Sequence, residues 1–301
     1  FFQAEDGIRD PLWSRGLGDV YKRQIASCGN AALAASVIAK AAKRTLTVNV
    51  PTWAETSLLD GLSDNGARIQ ICERRSDESG DPCMFRFREL LEEGALPFGC
   101  QGTENIWTID GGKTLGFEMS TQLRRHDLEP DRLLVQVGGG ALASSAIQAL
   151  TDAKNFGILK TRPSLNTVQA NGCSPLSIAF NLIADSGNPS EALSEAISNP
   201  PKYMKPWENP SSSATGILDD ITYDWLPLVW DMLLGGNVGG PISANEEDII
   251  LAKKLVAEHT DISASATGTA GLAGLIGAKK DNCISSDDSI VILLTGVDRD
   301  F

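Results

Sequence analysis

The chain has 301 residues, 42% of them hydrophobic and 22% charged, with a formal net charge of -13, the make-up of an acidic, soluble, cytoplasmic protein of one large or two ordinary domains. The acidic surplus excludes nucleic acid and anionic membrane surfaces as partners, because both need a basic face, and no apolar run approaches membrane-spanning length. Six cysteines without a CxxC pair and two histidines (His126, His259) at no ligand spacing signal neither a metal centre nor a disulfide framework.

The first two dozen residues lack both a signal-peptide layout and a convincing periodicity. Gln3–Asp10 (QAEDGIRD) and Ser14–Gln24 (SRGLGDVYKRQ) match the translations of two sequencing-library adapters, in their usual order and in frame. Residues 1–24 are therefore read as adapter-derived, and the natural sequence is expected to be joined at about Ile25 with its own N-terminus missing.

After the junction, Ser27–Asn30 is a loop feeding an alanine-rich helix over Ala31–Arg44. A β-rich strand, Thr45–Val50, ends at Pro51; a helix over Glu55–Asn65 closes at Gly66; Arg68–Cys72 is a further strand. This βα alternation predicts a parallel sheet. Glu73–Pro82 is polar and turn-rich, and Phe85–Glu93 is a helix ended by Gly94. Asn105–Asp110 (NIWTID) reads as a strand entering a Gly111–Gly112 turn, with a helix over Lys113–Leu123. Strands follow at Leu133–Val137, Leu165–Ala170 and Ser289–Thr295, the last expected to be buried. Ser186–Asn209 reads as loops around one helix, and Asp248–His259 and Thr267–Ile276 as two more helices.

The stretch Leu133–Leu150 (LLVQVGGGALASSAIQAL) passes from an apolar strand through Gly138, Gly139 and Gly140 into a small-residue helix. Without β-carbons the backbone approaches a bound group closely, and its N–H groups with the positive end of the helix point at an anion such as phosphate. A tight βα turn explains the glycines equally well on this segment alone. Gly138, Gly140 and Ala143 also satisfy a loose dinucleotide fingerprint, but the next strand ends Gln169-Ala170-Asn171, without the acid that would hold a ribose.

Four segments in order, Ser27-Cys28-Gly29-Asn30-Ala31, Val137–Leu142, Ser265–Leu275 (SATGTAGLAGL) and Leu293–Gly296 (LLTG), give the chain from Ile25 to Arg299 a resemblance to the fold type II pyridoxal-phosphate enzymes, the threonine synthase-like and tryptophan synthase beta-like group. Ile109–Glu118 (IDGGKTLGFE) resembles the helix entry ahead of the phosphate-loop strand in that family. The resemblance implies an α/β fold of two lobes, a smaller one over residues 25–104 and a larger, incomplete one over 105–301, with open, twisted, mainly parallel sheets and helices on both faces. Pyridoxal 5'-phosphate would lie in the cleft between the lobes. Asn30 would hydrogen-bond the cofactor ring oxygen; Ser27, Cys28 and Gly29 would bind the substrate carboxylate; Gly138, Gly139, Gly140 and Ala141 would cradle the phosphate; Thr295 would meet the pyridine nitrogen. A neutral hydroxyl there favours elimination or replacement at Cβ or Cγ of an amino-acid substrate. The Schiff-base lysine of the family lies upstream of the Asn30 loop, where this chain has only Lys22 in the adapter translation, so the chain as written is expected to be inactive. Lys113 belongs to a helix start and is not a substitute. The intact parent is expected to be a homodimer with a threonine synthase-like reaction on a phosphorylated homoserine. Ser211–Asp220 (SSSATGILDD) and Tyr223-Asp224-Trp225 depart from the typical threonine synthase segment, which leaves open an ammonia-lyase or dehydratase of hydroxy or diamino acids, or a non-catalytic ligand-binding relative.

Overall fold

A computed structural model describes residues 23–75, 80–236 and 239–297. Of the adapter-like stretch only Arg23 and Gln24 fall within it, and Lys22 lies outside the described residues. The chain divides between Gly99 and Cys100 into two compact units.

The first unit runs β1 (Arg23–Ala26), α1 (Asn30–Ala41), β2 (Leu46–Pro51), α2 (Thr56–Asp64), β3 (Arg68–Cys72), α3 (Pro82–Glu92) and β4 (Leu96–Pro97). Its sheet has the order β3-β2-β1-β4, all parallel, with Ile25 beside Val48 and Val48 beside Ile69. Alternation decides its faces. Ile25, Leu46, Val48 and Val50 pack on Ala32, Ala35 and Ala39 of α1 and on Leu58 and Leu62 of α2. The intervening Asn49 and Gln24 are equally buried but hydrogen-bonded: Asn49 Nδ2 donates to Gln24 Oε1 (3.2 Å), and Gln24 Nε2 to Phe87 O of α3 (2.7 Å). Pro82 opens α3 after Asp81, whose carboxylate accepts from the Cys83 N–H (2.8 Å).

The second unit contains α4 (Ile106–Arg125), β5 (Arg132–Gln136), α5 (Ala141–Asn155), β6 (Ser164–Ala170), α6 (Pro175–Ala184), α7 (Pro189–Ser198), α8 (Pro200–Tyr203), α9 (Trp225–Leu234), β7 (Gly240–Ala244), α10 (Glu246–His259), α11 (Ala266–Lys280) and β8 (Ile290–Ile292). The order β7-β6-β5-β8 is again wholly parallel. Leu133, Val135 and Val137 face a core shared with α5, α6 and α9, while Leu134, Val168 and Ala170 face α10 and α11. This sheet is thus covered on both sides, and each fully buried Leu, Ile or Met adds about 1.5–3 kcal/mol. The second face is unusual in how closely α11 approaches. A β-carbon on Gly268 would collide with the Thr295 carbonyl oxygen, one on Gly271 would stand 3.4 Å from the Leu134 carbonyl oxygen, and one on Gly274 would stand 2.5 Å from Val168 Cγ2. Three glycines at three-residue spacing let the helix backbone rest on the sheet.

Four expectations are corrected. Asn105–Asp110 is not a strand, and Gly111–Gly112 is not a turn; Asn105 is the N-cap of α4 and the rest belongs to that helix, which is continuous over 20 residues. Packing overrides the β-rich composition, because a β-carbon on Gly112 would collide with the Ser145 side chain and one on Gly116 would lie 2.5 Å from Ala149 Cβ, so these glycines seat α4 against α5. For the same reason Ile109–Glu118 is mid-helix rather than a helix entry. The expected strand Ser289–Thr295 contracts to Ile290–Ile292, half-buried at the sheet edge, with Thr295 beyond its end. Ser186–Asn209 holds two helices, α7 and α8, instead of one. Strands β1, β4 and β7 and helices α6 and α9 are additional to the expected set.

Cys28 and Cys283 are exposed, Cys72, Cys83 and Cys173 are buried, and Cys100 is intermediate. Burial, reinforced by the Asp219 charge, pushes the Cys100 thiol up to about 11 and the Cys173 thiol up to about 12. Iodoacetamide on the native protein at pH 8 is therefore expected to modify Cys28 and Cys283 and to spare the other four. Peptide mass spectrometry reads this, and labelling at Cys173 before unfolding would contradict the packing described here.

Candidate cofactor site

The centre of the second unit's site is the C-terminal end of β5. After Gln136 and Val137 the chain turns through Gly138, Gly139 and Gly140, and Gly140, at φ +98°, is the N-cap of α5. That left-handed conformation is costly for any residue with a β-carbon. No side chain caps this end of α5, so the first N–H groups of the helix, Ala141 among them, have no intrahelical acceptor. Uncapped donors at the positive end of a 15-residue helix suit an anion.

The segment that departs from the typical threonine synthase sequence, Ser211–Asp220 with Tyr223-Asp224-Trp225, covers this loop. It contains a 3-10 turn (Thr215–Ile217). A β-carbon on Gly138 would collide with Asp219 Oδ2 and lie 3.0 Å from Ile217 Cα; one on Gly139 would meet the Tyr223 ring at 3.3 Å; one on Gly140 would meet Leu228 and Thr222 at 3.2 Å. The Asp224 N–H donates to the Gly139 carbonyl (2.8 Å), Gln169 Nε2 donates to Thr222 Oγ1 (3.2 Å), and the Cys173 thiol donates to the Asp219 carbonyl (3.2 Å). Asp224 accepts from the Gly102 N–H (3.0 Å). Burial raises the Asp224 carboxyl above its ordinary range against the opposing pull of the Gly102 and Thr103 N–H groups. The close approach of Asp219 and Asp224 to a glycine loop had no local signal, since the partners lie some eighty residues apart in sequence.

Thr295 stands half-buried beyond β8, held at main-chain level by α11: its N–H donates to the Gly268 carbonyl (3.2 Å). Gln136 Nε2 donates to Thr295 Oγ1. Thr295 is thereby tied to the strand that leads into the glycine loop, and these predicted residues share one neighbourhood. Gln136 was absent from the sequence reading; a lone amide in LLVQV reads as an ordinary strand position. Lys113 is engaged on α4, 3.3 Å from Asp110 and 3.4 Å from Asp152.

The remaining predicted residues lie in the first unit. Ser27–Gly29 connect β1 to α1; Cys28 and Asn30 are exposed, Ser27 and Gly29 intermediate. The Gly29 N–H donates to Ser27 Oγ (3.3 Å). Gly29 is the N-cap of α1 and Asn30 its first helical residue, so the capping position is not occupied by the asparagine.

Among the described residues no group of three or more His, Cys, Asp and Glu side chains is placed to hold a metal ion, and no helix is long and apolar enough to cross a membrane. The donors do fit pyridoxal phosphate: an uncapped helix start behind a β-carbon-free cradle for the phosphate, and a hydroxyl oriented by a buried amide for the ring.

Comparison with known proteins agrees. The family described as "Pyridoxal-phosphate dependent enzyme" matches residues 24–296. The chain is 27% identical over 192 residues to a threonine synthase of Methanocaldococcus jannaschii, an alignment covering 64% of this chain and 42% of that protein. It is 25% identical over 276 residues to a threonine synthase of Mycobacterium bovis, covering 90% and 66%. The chain thus spans about two fifths to two thirds of the length of these relatives. Among solved structures, a diaminopropionate ammonia lyase from Escherichia coli superposes with a TM-score of 0.68 at 14% identity, covering 93% of this chain and 69% of that one. Serine racemase from Dictyostelium discoideum superposes with a TM-score of 0.67 at 20% identity, covering 94% and 78%. These likenesses show the fold, the parallel α/β architecture of fold type II, and the cofactor of the matched family is pyridoxal 5'-phosphate. With 273 of its positions matched from Gln24 to Gly296, the chain belongs to the pyridoxal-phosphate-dependent enzyme family.

Proposed function

We propose that the protein catalyses elimination or replacement on an amino-acid substrate, with a threonine synthase-like reaction on a phosphorylated homoserine as its concrete form. The observation that carries this reading is the neutral hydroxyl of Thr295 beside the end of β5. The bound cofactor supplies an electron sink for substrate Cα. The N–H groups of Gly138–Ala141 hold its phosphate, and Thr295 donates to its ring nitrogen without delivering a proton, which moderates the sink and favours loss of a leaving group over deeper carbanion chemistry. Asn30 hydrogen-bonds the ring oxygen, and Ser27, Cys28 and Gly29 bind the substrate carboxylate through a hydroxyl and N–H groups at the start of α1. The threonine synthase relatives support this choice.

One observation favours a second reading. Asp219 lies against Gly138, and Asp220 and Asp224 belong to the same covering segment. These carboxylates work against any phosphate near the loop; the N–H groups of Gly138–Ala141 offset them for the cofactor's own, whereas a substrate phosphate would add a further like charge, which suits a hydroxyl or an ammonium as leaving group and hence an ammonia-lyase. The natural gene, read upstream of the Ile25 codon, is expected to encode a lysine in a strand-to-helix setting ahead of Ser27. The protein carrying that lysine should release phosphate from phosphohomoserine and form threonine. A 2-oxo acid and ammonia from serine, threonine or diaminopropionate would select the lyase, and a natural sequence without such a lysine would overturn catalysis altogether.

A further inference from the structure

Gln136 is 4% exposed, and its two amide atoms are used unequally. Nε2 donates to Thr295 Oγ1, with the Gly268 carbonyl a further 3.5 Å contact, while Oε1 is buried without a hydrogen-bond partner. Oε1 faces the backbone of α11, where a β-carbon on Gly271 would stand 3.2 Å away. A buried carbonyl without a donor is destabilising, and methionine would fill the same space without that cost. The amide orientation follows from its surroundings: turned over, Oε1 would face the Gly268 carbonyl oxygen and Nε2 would lose both acceptors.

The consequence falls on Thr295. Its backbone is pinned to the first turn of α11, since its N–H donates to Gly268 and its carbonyl occupies the space of a Gly268 β-carbon. With Gln136 donating into a lone pair of Oγ1, the hydroxyl hydrogen has to point elsewhere. We propose that Gln136 is a positioning residue that fixes Thr295 as a hydrogen-bond donor, so that the site accepts a pyridine nitrogen only in its unprotonated form. The inference rests on the assignment of Thr295 to the ring nitrogen made above. It adds the group that determines in which sense that hydrogen bond runs.

The test compares the affinity of the protein for pyridoxal phosphate with that for its 1-deaza analogue, in which carbon replaces the ring nitrogen, by fluorescence titration. The wild-type chain is expected to prefer pyridoxal phosphate by about tenfold, the upper range for one hydrogen bond. T295V should reduce the preference to about one. Q136M should reduce it to about threefold or less by freeing the hydroxyl rotor, with a melting temperature at or above wild type because the orphaned carbonyl is gone. Q136E should reduce it further, since a carboxylate takes the Thr295 hydrogen for itself. A tenfold preference retained in folded Q136M, alongside its loss in T295V, overturns the role of Gln136 and leaves the Thr295 assignment standing. An unchanged preference in T295V, or failure of the wild type to bind pyridoxal phosphate, overturns that assignment and this inference together.

Discussion

Replacing Gly138 with alanine is expected to weaken pyridoxal phosphate binding by about a hundredfold, the effect of losing one or two hydrogen bonds to a charged group at about 1.5–3 kcal/mol each. The new β-carbon would collide with Asp219 Oδ2 and approach Ile217 Cα to 3.0 Å. A side chain rotates away at small cost, but Ile217 presents backbone, and its turn is tied to α11 by the Gly216 N–H bond to Thr267 Oγ1 (2.9 Å). The loop is therefore the part that moves, and its N–H groups move with it. G111A is the control: no atom lies within 4 Å of a β-carbon there, so it should keep full affinity and gain up to about 1 kcal/mol of helix stability. Fluorescence titration with pyridoxal phosphate measures both. An affinity of G138A within threefold of wild type would show that the loop does not hold the phosphate.

The largest expected loss of stability is at Arg162. Its guanidinium grips Asp231 with both terminal nitrogens, Nη1 to Oδ2 at 3.0 Å and Nη2 to Oδ1 at 2.7 Å, and also donates to the Gly235 carbonyl (2.8 Å). Both side chains are about 5% exposed or less. R162M strands a carboxylate in the core, a change worth about 3–5 kcal/mol. Burial already raises the Asp231 carboxyl above its ordinary range, with Arg162 opposing that rise; without the arginine it rises further. The sign follows from linkage. A carboxyl whose folded pKa exceeds its unfolded value of about 3.9 contributes stability below that value and loses it as pH rises through the folded pKa. R162M should therefore be less destabilised in urea at pH 5 than at pH 8, whereas R162M/D231L should recover most of the loss at both. Equal losses at the two pH values would mean that Asp231 stays charged in the variant.

The strand, glycine loop and helix from Leu133 to Asn155 were legible because each step is local: an apolar run, three residues without β-carbons, then small residues at helical spacing. The first half of α4 was not. Ile106 and Trp107 favour strands and are exposed, and only the seating of Gly112 against Ser145 reveals why glycines stand inside a helix. Strand β7 was hidden by Gly240 and Pro241 at its start, residues that ordinarily mark a turn. Of the residues proposed to hold the cofactor and substrate, Ser27–Asn30, Gly138–Ala141 and Thr295 are read from short contiguous motifs. Gln136 was missed because its meaning depends on a partner 159 residues away, and Asp219 because its carboxylate reaches a loop far behind it in sequence.

Where Gly268, Gly271 and Gly274 of α11 meet the sheet and Thr295, the helix contributes no side chain, and a contact of that kind has no part that mutation can trim. At most protein surfaces, exchanging leucine for valine shifts two elements by a fraction of an ångström and lets selection adjust a site gradually. Between Gly268 and Thr295 the only change open is an enlargement, which forces the backbones apart. The placement of the Thr295 hydroxyl is thus removed from gradual adjustment, and directed evolution of this site should find its productive changes in the covering segment around Asp219 rather than along α11.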